Sequence, residues 1–335
     1  MKIIIKISFC IMIAAWTGCA SGTPSAGEKE SGVNRGQIDP SSRILAVMPF
    51  ANETKNKDVE WLGAGVADTV SSKLAAVKNI VVVERVQIAN VMNEMQLGMT
   101  GLIDESTAPE AGKMLGAKIL VIGSFASVKT GVKIILRFNC KVIDAKTGQL
   151  LGGGGVKSAG GLENIFNIEE EIAETVVNRV GLALSGDEKR YFKVPAASSV
   201  AAYELYSQAL LEPNAQSKKR LLERALELDK KFARAHLALG YIIYEMSAIS
   251  GENKELVDHC SSALKKDPRL IEANYIMASY YDRISKNEDD ELIPDNAKKA
   301  IEHYGIYIEK AGNSPLPPVE KRVTRAEKRI KELKG

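Results

Sequence analysis

The chain has 335 residues, enough for about two domains plus tails. Apolar residues make up 45% and charged residues 26%, ordinary values for a protein that buries a real core. The formal net charge is only +3, which excludes a general electrostatic pull on nucleic acid.

Lys2 and Lys6 open the chain, and an apolar run from Ile7 to Ala15 follows. That run is too short to span a bilayer, which takes about 20 residues. With Trp16-Thr17-Gly18 before Cys19, residues 1–18 read as a secretory signal. The sequence around Cys19 resembles the bacterial lipobox, departing from it in having Trp16 where Leu is usual. The resemblance implies cleavage before Cys19, lipidation of its thiol and acylation of the new amine. A thiolate is the nucleophile such alkylation needs. Ala20 in place of Asp implies the outer membrane, with the protein facing the periplasm. Residues 19–42, rich in Ser and Gly, read as a flexible tether with a reach of about 25 Å. Of the four cysteines, Cys10 falls in the signal. Cys140 and Cys260 are expected to be buried free thiols, not a bridge.

Residues 43–185 read as one domain. Arg43 to Phe50 is an apolar strand closed by Pro49. Asp58 to Val77 is a helix with Leu62, Val66, Val70, Leu74 and Val77 in one stripe. Ile80 to Glu84 is a β-branched strand, and Gln87 to Gln96 a helix. Thr107 to Glu110 offers a capping box for a short helix reaching Leu115. Ile119 to Lys157 reads as a three-strand meander. In its middle strand, Lys133 to Asp144, Ile134, Leu136, Phe138, Cys140 and Val142 share one face. Gly131 and Gly148 mark its turns. Asn164 to Leu184 is a long helix, with Glu169-Glu170-Glu171 suited to its positive end. The expected fold is α/β, a mixed sheet covered by helices.

Several segments carry a resemblance: AVMPFANET, EWLGAGVADTVSSKL, VVVERVQIANVMNEMQLGMTG, AGKMLGAKILVIGSF and VIDAKTGQLL. They resemble the CsgG-type family and are similar to the TolB N-terminal domain and related envelope lipoproteins. Glu84-Arg85, Gly112 to Ala117 and Asp144 to Gly148 are the most specific parts. The resemblance implies membrane-associated assembly work without catalysis. In the curli-secretion member it implies a ring whose long hairpins cross the outer membrane. Here the turns at Lys129 to Gly131 and Ala145 to Gly148 are tight, and the outer face of Lys133 to Asp144 is charged. Neither feature suits a lipid-facing hairpin.

No constellation for chemistry is visible. Gly152 to Ser158 lacks the Gly before Lys157 that a phosphate loop needs. His236, His259 and His303 have no metal-ligand spacing. The expectation is no catalytic residue, no cofactor and no metal.

Residues 186–199 are polar and read as a linker. Residues 200–335 show only helical periodicity, as an all-α helical repeat domain. Three pairs are expected: Ala201 to Leu211 with Gln216 to Leu228, Ala233 to Ser247 with Asn253 to Lys266, and Leu270 to Ile284 with Asp295 to Ala311. HLALGYIIYE followed by SSALKKDP resembles the tetratricopeptide (TPR) repeat, with Gly240 and Ala263 at the helix contact. Such arrays bind protein segments in a concave groove. Tyr203, Tyr206, Tyr241, Tyr244, Tyr275, Tyr280 and Tyr281 are divided between that groove and the core. A basic helix from Val319 to Leu333 caps the array. The reading is a lipid-anchored outer-membrane adaptor with a protein partner, the membrane and a possible homo-oligomer as contacts. The alternative is an oligomeric secretion-channel subunit.

Overall fold

The computed structural model describes residues 43–95, 103–153, 156–247, 253–287, 289–312, 314 and 316–334. The signal, Cys19 and the tether lie outside these residues. The first part of the chain runs β1 (Ile44–Val47), β2 (Ala51–Asn52), α1 (Trp61–Ala75), β3 (Val81–Val82), α2 (Arg85–Glu94) and α3 (Ala108–Leu115). It continues with β4 (Ile119–Thr130), β5 (Lys133–Asp144), β6 (Val156–Gly161) and α4 (Ile165–Arg179). The strands form one mixed sheet in the order β3-β1-β4-β5-β6, with β2 also on β4. β1 lies parallel to β3 and β4, whereas β4, β5 and β6 are antiparallel. This is the expected α/β sandwich.

Side-chain alternation sorts the strands into two cores. Leu45, Val47, Ile119, Val121, Leu136, Phe138, Cys140 and Val142 face α1 and α4. Ala46, Met48, Leu120, Ile122 and Ile143 face α2 and α3. The expected apolar face of β5 is thus real. Its turns also hold: Gly131 and Gly148 both have positive φ, and Asp144 accepts the backbone N–H of Lys146 and Thr147 at 2.9 and 2.8 Å.

Three local expectations change. The third meander strand, expected to end at Lys157, is described from Val156 to Gly161; upstream, Gly152 and Gly153 take positive φ outside the strand region, and Leu150 makes an isolated bridge to Ile143. Thr107 makes no side-chain cap for α3. Asp104 gathers that turn, accepting from the Ser106 and Thr107 N–H groups. The polar stretch 186–199 carries α5 (Gly186–Phe192), opened by a reciprocal capping box between Ser185 and Glu188.

The helical region follows as hairpins: α6 (Val200–Leu211) with α7 (Ala215–Leu228), α8 (Ala233–Met246) with α9 (Lys254–Lys266), and α10 (Glu272–Arg283) with α11 (Pro294–Ala311). α12 (Pro317–Lys334) closes the array. These pairs are consistent with TPR-like repeats, although Gly240 meets Cys260 Sγ in place of Ala263. The helical array is not held apart from the sheet. One apolar cluster runs from Leu45 and Val66 through Ala202, Leu222 and Leu239 to Leu333.

α1 explains this continuity. It is buried on nearly all sides from Trp61 to Val70, so it has no solvent face to stripe. At Gly65 it meets α6 so closely that a Cβ would lie 2.3 Å from Ser207 Oγ and 2.7 Å from Tyr203 Oη. We expect Gly65→Ala to force the two helices apart and to lower stability in urea unfolding by about 1–3 kcal/mol. An unchanged unfolding midpoint would contradict this close approach.

Candidate interaction site

The α1–α6 contact is a buried polar junction. Asp68 accepts two bonds from Arg234 of α8, Nε to Oδ2 at 2.8 Å and Nη2 to Oδ1 at 2.5 Å. The Tyr206 hydroxyl donates to Oδ2 at 2.8 Å. Burial pushes the Asp68 carboxyl up, but the charges of Arg234 and Arg85 and these hydrogen bonds outweigh it and hold the group below the usual range. One turn earlier on α6, Tyr203 is fully buried between Trp61 and Phe166, at 5.7 and 5.3 Å between ring centroids. Its hydroxyl donates to Glu169 Oε1. Glu169 is also fully buried, and desolvation raises it to about 8. Expected as a partner of the α4 dipole, Glu169 instead sits inside the junction, largely protonated at neutral pH. Lys73 completes the ring, donating to the carbonyls of Phe192 and, at 3.0 Å, Val194.

The other end of the array is fastened as well. Glu84 and Arg85, among the most specific parts of the family resemblance, divide their partners. Arg85 Nη2 donates to the Leu210 carbonyl at the end of α6 at 3.0 Å. Glu84 pairs with Arg322 of α12. Leu316 is buried in the α2–α3 core, with Val319 against it. Arg329 grips Asp282 of α10 through Nε at 2.8 Å and Nη2 at 2.6 Å. Two of the basic residues of α12, Arg322 and Arg329, therefore face inward as ties. The capping role of that helix rests on these contacts.

Between the ties the array leaves a cleft of about 400 Å³ lined by α8, α10, the start of the turn after α10, α11 and α12. Of the seven tyrosines divided between groove and core, Tyr203, Tyr206, Tyr280 and Tyr281 are buried. Tyr275 packs on Tyr304 and Tyr307. Tyr244 lines the cleft, joined there by Tyr304, which the sequence reading had passed over.

Cys140 and Cys260 are buried free thiols, and burial raises each to about 12, which makes them inert. Among the described residues no group of three His, Cys, Asp or Glu is placed to hold a metal. Two of the histidines do meet: His236 and His259 lie Nδ1 to Nδ1 at 2.9 Å across the α8–α9 hairpin. His236 Nε2 reaches the Lys230 carbonyl at 3.1 Å, so that nitrogen carries the proton and Nδ1 accepts from His259. Neither the junction nor this pair was legible in spacing. Asp68 and Arg234 stand 166 residues apart. The one usable signal was a carboxylate, Asp68, inside the run Trp61 to Val70 that is otherwise apolar but for Thr69.

Two pH effects follow. Glu169 has its folded pKa raised above 4.5, so its contribution is full below pH 4.5 and is lost as pH rises through about 8. Glu169→Gln keeps an acceptor for Tyr203, and its unfolding free energy should decline less than wild type over that window. Equal pH slopes would refute the assignment. Burial lowers His236 and His259 below 6.5, so their contribution is present above pH 6.5 and is lost as pH falls through the lowered values. The double variant His236→Gln, His259→Gln should lose less stability than wild type on acidification below pH 6.5, followed by thermal unfolding.

Residues 29–134 match the family described as "Curli production assembly/transport component CsgG", less than half of the chain, with the match ending early in β5. A protein of Rhizobium meliloti (strain 1021) described as "Putative adenylate cyclase 3" is 26% identical over 212 residues, 61% of this chain. The chain spans 33% of that protein's length. Among solved structures, E. coli LpoB is 16% identical at a TM-score of 0.28, over 36% of this chain and 56% of that one. The PelC dodecamer from Paraburkholderia phytofirmans is 13% identical at 0.30, over 44% and 93%. Lipoprotein GNA1162 from Neisseria meningitidis is 12% identical at 0.29, over 41% and 97%. Residues 29–134 thus match the CsgG family, and the helical array lies outside the match.

Proposed function

We propose that this chain is a non-catalytic scaffold of the bacterial envelope, anchored by lipid at Cys19 to the periplasmic side of the outer membrane. The observation that carries it is the fusion of a CsgG-family domain and a repeat array through one core, with the concave cleft left open. An enzyme needs reacting groups gathered in a pocket; here the perturbed carboxylates Asp68 and Glu169 are spent on the junction between helices. The anchor rests on the lipobox-like run ending at Cys19. No helix among the described residues is long and apolar enough to cross a membrane.

The hairpin geometry speaks against the channel alternative. β2 pairs β4 as far as Phe125, and β6 pairs β5 from Ile135. Only residues 126–130 and 133–134 project past those neighbours, shorter than the 9–11 residues a membrane-crossing strand needs. Lys129 and Lys133 are exposed along them. The projecting part exposes two apolar residues, Val128 at 58% and Val132 at 97%.

Fractionation tests the reading. Wild-type protein should sediment with outer membranes and carry acyl label, and Cys19→Ser should lose the label and remain unprocessed. A photo-crosslinker at Tyr244 should trap a discrete protein partner, one absent when the crosslinker stands at Lys189 on exposed α5. Wild-type protein free of acyl label would overturn the anchor; migration as a large detergent-stable ring would restore the channel reading.

A further inference from the structure

Resting on the scaffold reading, we propose that the cleft between α8, α10 and α12 is a binding site for acidic segments of a partner protein, whose carboxylates are held by Arg283 and Arg325. Four cations line it, Arg283, Lys286, Arg325 and Arg329, against one carboxylate, Asp282. Asp282 is fully engaged. Arg329 grips it at both oxygens, and the Tyr304 hydroxyl donates to it at 3.1 Å. Its charge is cancelled inside the wall, leaving the other three cations uncompensated by it.

Those three differ in readiness. Arg283 lies on the face of Tyr244, 3.9 Å from the ring centroid, and its Nη1 donates to the carbonyls of Tyr244 and Ser247 at 3.2 Å each. The guanidinium is held planar and still at low entropy cost, and its other nitrogens make no hydrogen bond among the described residues. Arg325 is exposed, with no hydrogen bond or ion pair among the described residues. Lys286 pairs with Asp290 at 2.7 Å, but both side chains are at least half exposed, so solvent screens the pair and the lysine exchanges readily.

Fixed guanidinium forks match planar carboxylates in pairs of parallel hydrogen bonds. A cleft of about 400 Å³ is larger than a lone inorganic anion requires and falls within the range of binding clefts. A lipid surface fits less well. The outward face of α12 intersperses Lys321, Lys328 and Lys331 with exposed Glu320, Glu327 and Glu332, so it offers no continuous basic face. What remains is a polypeptide bearing several carboxylates.

The test uses the full chain in detergent and a fluorescein-labelled octapeptide of alternating Glu and Ala, read by anisotropy. Wild-type protein should bind it, and Arg325→Glu should weaken binding about tenfold, the loss of one charge-assisted contact. Lys331→Glu makes the same charge change on α12 away from the cleft and should leave affinity within about twofold. The Gln-for-Glu octapeptide should not bind, and inorganic phosphate or phosphatidylglycerol vesicles at equal charge should not displace the acidic peptide. No binding, equal binding of the Gln peptide, equal losses in both variants, or displacement by phosphate or vesicles would each overturn the proposal. Circular dichroism and unfolding of Arg325→Glu separate a binding loss from a folding loss. A negative result with the acyl label and the Tyr244 crosslink intact would reject the ligand class and leave the scaffold standing.

Discussion

The architecture depends on one buried ion pair. Asp68 sits on a helix sealed in protein, and its charge is tolerable only because Arg234 reaches it from the second helical hairpin with two parallel hydrogen bonds. Removing water from Asp68 and from most of Arg234, whose side chain stays 25% exposed, is expensive, and their mutual attraction offsets that expense only with well-aligned hydrogen bonds. The pair therefore fixes where the hairpins stand on the sheet more than it adds stability. Gly65 makes the approach possible, and Tyr203 and Tyr206 fill the space around it, the Tyr206 hydroxyl donating to Asp68 and the Tyr203 hydroxyl to one oxygen of Glu169.

This junction also accounts for what the CsgG-family match leaves out. The matched residues end in β5, yet α1, which lies within the match, is covered on its far side by α6. A sheet with helices on both faces would leave that side of α1 apolar and wet. In this chain the helical array supplies the missing layer. The added region thus serves as part of the core of the first, and the two fold around a shared surface.

Much of the fold was legible because it is periodic. β5 alternates strictly, so its inward face could be read from Leu136, Phe138, Cys140 and Val142. The helical hairpins repeat at a spacing that gave their boundaries to within a few residues. The junction was not legible, because periodicity reports only which face is apolar and not what covers it. Glu169 shows the limit. As one of three acidic residues in a row it looked like a helix-dipole partner, and its burial depends on Tyr203, far along the chain. The meander was expected to end at Lys157, whereas β6 runs to Gly161, because Ser158-Ala159-Gly160-Gly161 has no large apolar side chain to alternate. α5 was missed although Ser185 and Glu188 stand at the spacing of a reciprocal cap. The charges of α12 were legible as charges, but not as ties to Glu84 and Asp282.

Fastening at both ends has a mechanical consequence. A pull on the open cleft reaches the sheet by two routes, through α8 to Asp68 and through α12 to Glu84. Two separated fastenings leave no single hinge about which the array could swing, so a load on the cleft is shared between α1 and the start of α2.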